Sequence, residues 1–222
     1  CSKVPEGAIC LCAHKRVAEN INRKELAKIP EQEDIFEATI SKSRAQKEDW
    51  TEKDYPAPKT LRIKLGAKVM ITKNDLSPEK EYVNGTIGVV SGVVSGSYDD
   101  TAILVDVNGR TISLKRATWN KMKLNEEGKQ VKDEDKYFKQ FPLQLAWAIT
   151  IHKSQGLTLD NIFIDLASGA FCAGQTYVAL SRLRTISGLH LKHCLSMEDI
   201  YQEPIIKTFF DELEKQGKIF HF

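Results

Sequence analysis

No stretch of these 222 residues stays apolar for the roughly 18–20 positions that a bilayer-spanning helix needs, so no transmembrane helix is expected. The N-terminal "CSKVPEGAICLC" lacks the basic start and apolar core of a secretion signal. It begins with Cys rather than Met, which reads as a piece of a longer protein. Cysteine is scarce: five residues, at positions 1, 10, 12, 172 and 194. No CxxC pair occurs among them, so neither a disulfide framework nor a zinc ribbon is expected. Cys10, Cys12 and His14 alternate and would share one face of a strand, where they could ligate a metal. Without a second pair elsewhere, reduced buried thiols of a cytoplasmic protein are the simpler expectation. No GxSxG elbow surrounds Ser154, and His152 stands too near it in sequence for a nucleophile–base pair, so a serine hydrolase is set aside. An excess of one charge is missing too. The formal net charge is +2, so any nucleic-acid binding must rest on local patches rather than on bulk charge.

What is present suits one large domain, or one domain carrying an insert: 41% of residues are hydrophobic and 28% charged. "AICLCAH" (8–14) is a short apolar run without helical period and predicts a buried strand. In "KRVAENINRKELAKI" the residues Val17, Ile21, Leu26 and Ile29 follow a helical spacing, and Pro30 ends it. Residues 31–60 are charged and close on Pro56 and Pro58, so they predict a solvated connection, with short strands at most.

From 61 to about 124 the β-branched runs "LRIKLGAKVMITKND", "YVNGTIGVVSGVV", "TAILVDVNG" and "RTISLKRATWNKMKL" succeed one another with no helix between them. They predict a small barrel, with a hairpin turn at Val107-Asn108-Gly109-Arg110. The polar "NEEGKQVKDEDK" (125–136) separates this barrel from the C-terminal third of the chain. Beyond Phe141 the α/β pattern returns. "LQLAWAI" and "NIFIDL" predict interior strands of a parallel sheet, "GQTYVALSRL" a helix with Tyr177 and Leu180 toward the core, and "GLHLKHCL" another strand. A last helix is expected from Pro204 to near Gly217, burying Ile205, Ile206, Phe209, Phe210 and Leu213.

"TIHKSQG" (150–156) comes directly after "LAWAI", at the carboxyl end of a predicted parallel strand, where ligands of such sheets sit. It offers hydroxyl, imidazole, ammonium and amide groups, and a glycine that lets a phosphate approach the backbone. Downstream, Arg182 falls at the end of the "GQTYVALSR" helix. A guanidinium reaches a phosphate through a planar fork that Lys cannot copy.

"AWAITIHKSQGLTLDNIFIDL" followed by "GQTYVALSR" resembles motifs V and VI of superfamily 1B DNA helicases of the RecD/Pif type. "LRIKLGAKVMITKND…YVNGTIGVV" is similar to the SH3-like insert that these enzymes carry before motif V. The resemblance spans nearly the whole chain apart from residues 31–60. It implies an α/β fold, with residues 1–60 and 137–222 forming a discontinuous second RecA-like domain and 61–136 an SH3-like β-barrel insert.

The resemblance also implies roles. Arg182 matches the arginine finger, and Gln155 and Gly156 match groups near the terminal phosphate of ATP. Thr150, His152, Lys153 and Ser154 match the segment linking that site to the DNA strand. In the region that resembles motif IV, His14 and Lys15 stand where Thr and Asn are usual, while Asn22 keeps its place; Lys15 can still serve electrostatically. In the insert, Lys73, Asn74, Asn84 and Trp119 are candidates for contact with single-stranded DNA, Trp119 being expected first of all in the barrel core. No GxxxxGK[ST] occurs in the chain, and "EEGKQ" (126–130) is not one; in the family that cradle and the acidic Walker B strand belong to the first RecA-like domain. The implied cofactors are therefore ATP and Mg²⁺, the metal held mainly by that other domain. The implied partners are single-stranded DNA or a DNA fork and the first RecA-like domain, with no membrane, in the cytoplasm or at a bacterial nucleoid. From another class, a nucleic-acid-binding module that kept the fold without catalysis has the same sequence features.

Overall fold

The computed structural model describes residues 4–43, 47–96, 100–125, 128–166, 169–170, 172–200 and 203–216; Cys1 and the expected helix end at Gly217 lie outside them. Two compact units divide the chain: Cys1–Ile21 with Trp147–Phe222, and Asn22–Ala146. The elements run β1 (Ile9–Cys12), α1 (Lys15–Lys28), β2 (Asp34–Glu37), β3 (Thr39–Ile40), β4 (Thr60–Ile63), β5 (Lys68–Ile71), β6 (Ile87–Val94), β7 (Ala102–Val107) and β8 (Arg110–Leu114). They continue as β9 (Ala117–Leu124), β10 (Gln130–Gln140), β11 (Leu143–Leu145), β12 (Ala148–Thr150), β13 (Ile162–Asp165), α2 (Gln175–Leu180), β14 (Leu189–Leu191) and α3 (Pro204–Lys215).

The first unit is built on a parallel sheet in the order β12-β1-β13-β14. Its inner strands β1 and β13 are buried at every residue, which is why both read as unbroken apolar runs. Cys12 lies level with Thr150 on one side and Asp165 on the other, so the carboxyl ends of three strands come out side by side. Val17, Ala18 and Ile21 of α1 cover one face, packing with Cys10, Cys12, Ala148 and Phe163. The Cys10 and Cys12 sulfurs are 3.6 Å apart and fully buried. Their hydrogen bond, then burial, then the neighbouring negative charge of Cys12 and Asp165 push the Cys10 thiol well above its ordinary range. His14 is exposed. Among the described residues no group of three or more His, Cys, Asp or Glu could hold a metal, and no helix is long and apolar enough to cross a membrane.

Three expectations for this part of the chain are corrected. "LQLAWAI" is not one strand: β11 pairs antiparallel with β5 in the second unit, and the chain then turns at Ala146 and Trp147 before β12 joins β1. Apolar continuity alone could not mark that crossing. In α2 the inward residues are Gln175, Thr176 and Ala179, whereas Tyr177 is 75% exposed; the helix has only six residues, and its inner stripe falls one position away from the aromatic. In α3, Ile205, Ile206, Phe209 and Phe210 are 75%, 44%, 56% and 49% exposed, not buried. Periodicity fixes an apolar face but does not say what covers it.

The second unit is antiparallel throughout. It contains a five-stranded sheet β11-β5-β6-β7-β8, a three-stranded sheet β3-β10-β9 and the pair β2-β4. Asn108 and Gly109, both at positive φ, make the predicted two-residue turn between β7 and β8, closing on the pair Val107–Arg110. Phe138 is fully buried with Trp50 and Ala57, and Ile40, Tyr55 and Trp119 pack around them. Gln140 is equally buried and fully engaged. Its amide N–H groups donate to the carbonyls of Phe36, Pro58 and Lys59, while its Oε1 accepts from Arg116 and from the Phe141 N–H.

Residues 31–60 are therefore not a solvated connection: they supply β2, β3 and the core residues Trp50 and Ala57. The polar 125–136 stretch is not a separator either, since most of it forms the arm of β10 that pairs with β9. An arm without a packed apolar face carries no hydrophobic signal to read. The compact units part at 21/22 and 146/147, with β2 paired to β4, β3 to β10 and β11 to β5 within the second of them.

Candidate functional site

Since every strand of the first unit's sheet is parallel, the loops after β1, β12, β13 and β14 all leave from one edge. The loop after β12 is closed by its own hydrogen bonds. Its Ile151 N–H donates to the Cys12 carbonyl, 3.0 Å away, which ties the loop to the strand beside it. A 3-10 turn over His152–Ser154 comes next. Ser154 closes it by donating from both its N–H and its Oγ to the Ile151 carbonyl, at 3.1 and 2.7 Å. Thr150 Oγ1 accepts the Lys153 N–H at 3.3 Å. Gly156 then takes φ +80°, a conformation that costs an L side chain about 1 kcal/mol or more.

This framework sorts the predicted residues. Ser154 is fully buried, so its hydroxyl builds the turn and does not face a ligand, contrary to its expected place among DNA-contacting groups. Thr150 is half-buried and caps the turn, while His152, Lys153, Gln155 and Gly156 are exposed. Although the residue as a whole is exposed, partial desolvation of its ammonium by surrounding groups, then the like charge of Lys15, push the Lys153 pKa below the ordinary lysine value, with Glu19 opposing. Lys153 and Lys15 therefore sense each other across the loops after β12 and β1. Lys15 is exposed and lies 3.7 Å from Glu19, one turn along α1. Asn22 is half-buried, and its amide donates a long bond of 3.5 Å to the Leu145 carbonyl.

Arg182 stands two residues past the end of α2 and is half-buried. Its guanidinium reaches back to the loop after β12: Nη1 donates to the Leu157 carbonyl at 3.2 Å, one residue past Gly156. Nε donates to Val178 O at 3.0 Å and Nη2 to Ser181 Oγ at 2.9 Å. The backbones join as well. Leu159 N–H donates to Arg182 O at 2.8 Å, and Arg184 N–H to Leu159 O at 3.0 Å. The segment after Arg182 is seated by Gly188, where a Cβ would stand 1.8 Å from the Asp160 carbonyl oxygen. Only glycine fits that approach.

The residues expected in the insert make structural contacts. Lys73 lies 5.0 Å from the Trp119 ring centroid and donates to the Thr118 carbonyl; burial and nearby Lys132 push its pKa down. Trp119 meets Phe138 edge-on at 6.1 Å and is half-buried. Asn74 Oδ1 accepts the Asn84 backbone N–H at 2.7 Å, so the Asn74 side chain helps to close the loop between them. Sequence reasoning missed Asp165 and Lys192. Asp165, 5% exposed at the end of β13, accepts from Lys192 Nζ at 2.9 Å. Asp165 stands directly after the apolar run of β13, a signal that was available.

No protein-family profile matches the chain. The ATP-dependent DNA helicase Pif1 of Bdellovibrio bacteriovorus is 35% identical over 201 residues, covering 89% of this chain and 42% of that protein. Among solved structures, Bacteroides sp Pif1 in complex with ADP-AlF4 superposes with a TM-score of 0.76 at 35% identity, covering 98% of this chain and 47% of that one. Bacteroides Pif1 bound to ssDNA superposes with a TM-score of 0.70 at 34% identity, over 98% of this chain and 48% of that one. The chain thus spans less than half the length of these relatives. Sequence and fold agree over nearly all its residues, and the chain belongs to the Pif1 family of ATP-dependent DNA helicases.

Proposed function

We propose that this chain is the second half of a helicase motor, contributing the groups that sense the terminal phosphate of ATP and grip single-stranded DNA. The observation that carries this reading is the union of two sequence-distant segments: Arg182 is bonded by guanidinium and backbone to the strand that continues the Gln155–Gly156 turn. The exposed carboxamide of Gln155 and the backbone N–H of Gly156, with the guanidinium of Arg182, fit a polyphosphate. In this reading Mg²⁺ and the phosphate cradle are held mainly by another domain of the longer protein, as the family resemblance implies. ATP supplies the free energy when bound; Arg182 offsets charge developing on the transferred phosphoryl group, and Gln155 orients the attacking water.

On the nucleic-acid side, His152, Lys153 and Lys15 face the DNA backbone, with Thr150 and Ser154 holding the turn that presents them. Desolvation first, and like-charge repulsion from Lys15 second, lower the Lys153 pKa; a phosphate placed between the two lysines relieves that repulsion. Asn22 lies further along α1. The β-rich unit is read as an SH3-like barrel insert in which Lys73, Asn74 and Asn84 border the DNA path. Unwinding at a single strand or fork with 5′→3′ polarity completes the reading.

The deciding experiment is Arg182→Ala in the longer protein that contains this chain. ATP turnover is expected to fall about 10³-fold or more while nucleotide affinity changes far less. Turnover within a few-fold of the unaltered protein removes the arginine-finger assignment, and with it the motor reading in favour of a binding module.

A further inference from the structure

We propose that Cys172 is a site of covalent modification by soft carbon electrophiles of the α,β-unsaturated carbonyl class, with His152 as the base that activates it. The Cys172 Sγ lies 3.7 Å from the His152 Nε2, within reach for a thiol donating to an imidazole nitrogen. In the tautomer protonated at Nδ1, the Nε2 lone pair points at the sulfur. Cys172 is half-buried and His152 exposed, so a small electrophile reaches the sulfur from solvent.

The other described cysteines set the contrast within the same molecule. Cys10 and Cys12 are fully buried and bonded to each other. Cys194 is exposed. Ranking by exposure alone places Cys194 first; ranking by the proximity of a base places Cys172 first, because the thiolate is the nucleophile.

The step balances with these two residues and the electrophile. The thiol proton passes to His152 Nε2 as the sulfur forms a bond to the β-carbon. The C=C π pair shifts toward the carbonyl as an enolate, and the imidazolium returns a proton to the α-carbon. No oxidant or reductant takes part. Cys172 precedes α2, where its carbonyl accepts the Gln175 N–H, while His152 opens the turn that carries Lys153 and Gln155. An adduct on Cys172 therefore stands against that turn.

The test is limited alkylation of the full chain with N-ethylmaleimide, read cysteine by cysteine by peptide mass spectrometry. Cys172 is expected to react about ten-fold faster than Cys194 or more, a conservative share of what a positioned base contributes. His152→Gln is expected to bring Cys172 down to the Cys194 rate and to leave Cys194 unchanged. Cys10 and Cys12 stay unlabelled throughout and report an intact core. The proposal falls if Cys172 reacts no faster than Cys194 in the unaltered chain. It also falls if His152→Gln leaves the Cys172 rate as it was. Should the variant expose Cys10 and Cys12, the ratio in the unaltered chain decides alone. Neither nucleotide nor DNA enters the assay, so its failure leaves the helicase reading standing.

Discussion

In the parallel unit, the polar side chains that matter stand past the ends of buried strands. Lys153 and Gln155 are exposed on a turn whose own bonds are closed by Thr150, Ile151 and Ser154. In the antiparallel unit, the same residue types are engaged in holding turns and joining segments. Asn74 closes a loop onto Asn84, Asp75 accepts from Ser77 and Glu81, and Gln140 joins three segments from within the core. The contrast arises from connectivity. A parallel sheet needs long crossovers, all of which emerge at one edge, so a few residues can brace the loop and leave others to face outward. An antiparallel meander returns through short turns, and their polar groups are consumed in closing them. Exposed polar groups beyond strand ends therefore collect in the first unit although the second carries more Lys and Asn.

The comparison can be tested from its strongest point downward. Phe138→Ala removes the ring on which Trp50, Tyr55 and Trp119 converge, and is expected to cost about 4 kcal/mol, read by chemical denaturation with tryptophan fluorescence. A loss below about 1 kcal/mol would mean that this cluster is not what holds the antiparallel unit. Lys192→Met leaves the Asp165 carboxylate buried and without its ammonium, at a cost of about 2 kcal/mol. That is less than for a fully buried pair, because Lys192 remains partly in water. Double variation with Asp165→Asn should recover part of the loss, and additive losses would show that the two do not act together.

The smallest effect sits in the Asn74–Asn84 loop. Hydrogen bonds from the Ser77 backbone and hydroxyl, with a further one from Glu81, hold the Asp75 carboxyl below its ordinary value. A carboxylate with a lowered folded-state pKa contributes its stability above the unfolded value of about 3.9 and loses it as pH falls through the folded one. The amide shifts of Ser77 and Glu81 should thus titrate together in acid, below the midpoint of an exposed Asp. Two separate midpoints would dissolve the shared cap.

Much of the first unit was legible because its inner strands have no polar alternation to confuse. "AICLCAH" and "NIFIDL" became β1 and β13, and the "TIHKSQG" turn lies at the strand end where it was expected. The hairpin at Asn108-Gly109 was equally readable, since only residues tolerant of positive φ close such a turn. What escaped were long-range decisions. Trp50 lies in a charged stretch and joins the core only because β10 brings Phe138 to it. "LQLAWAI" looks uniform yet serves two sheets. The Ile and Phe stripe of α3 was visible, but its exposure was not, because a sequence records amphipathicity and not the neighbour. At the site, residue types were legible and orientation was not: nothing in "HKSQG" says that Ser154 turns inward.

The pair of short backbone bonds that Leu159 makes with residues 182 and 184 has a mechanical consequence. They clamp the two segments into a ladder rung, so that a shift of the main chain at residue 182 is passed to the glycine bend three positions before Leu159 through backbone alone. Whatever tugs the arginine would displace the lysine-bearing turn as one stiff body, like a lever with no slack at its pivot.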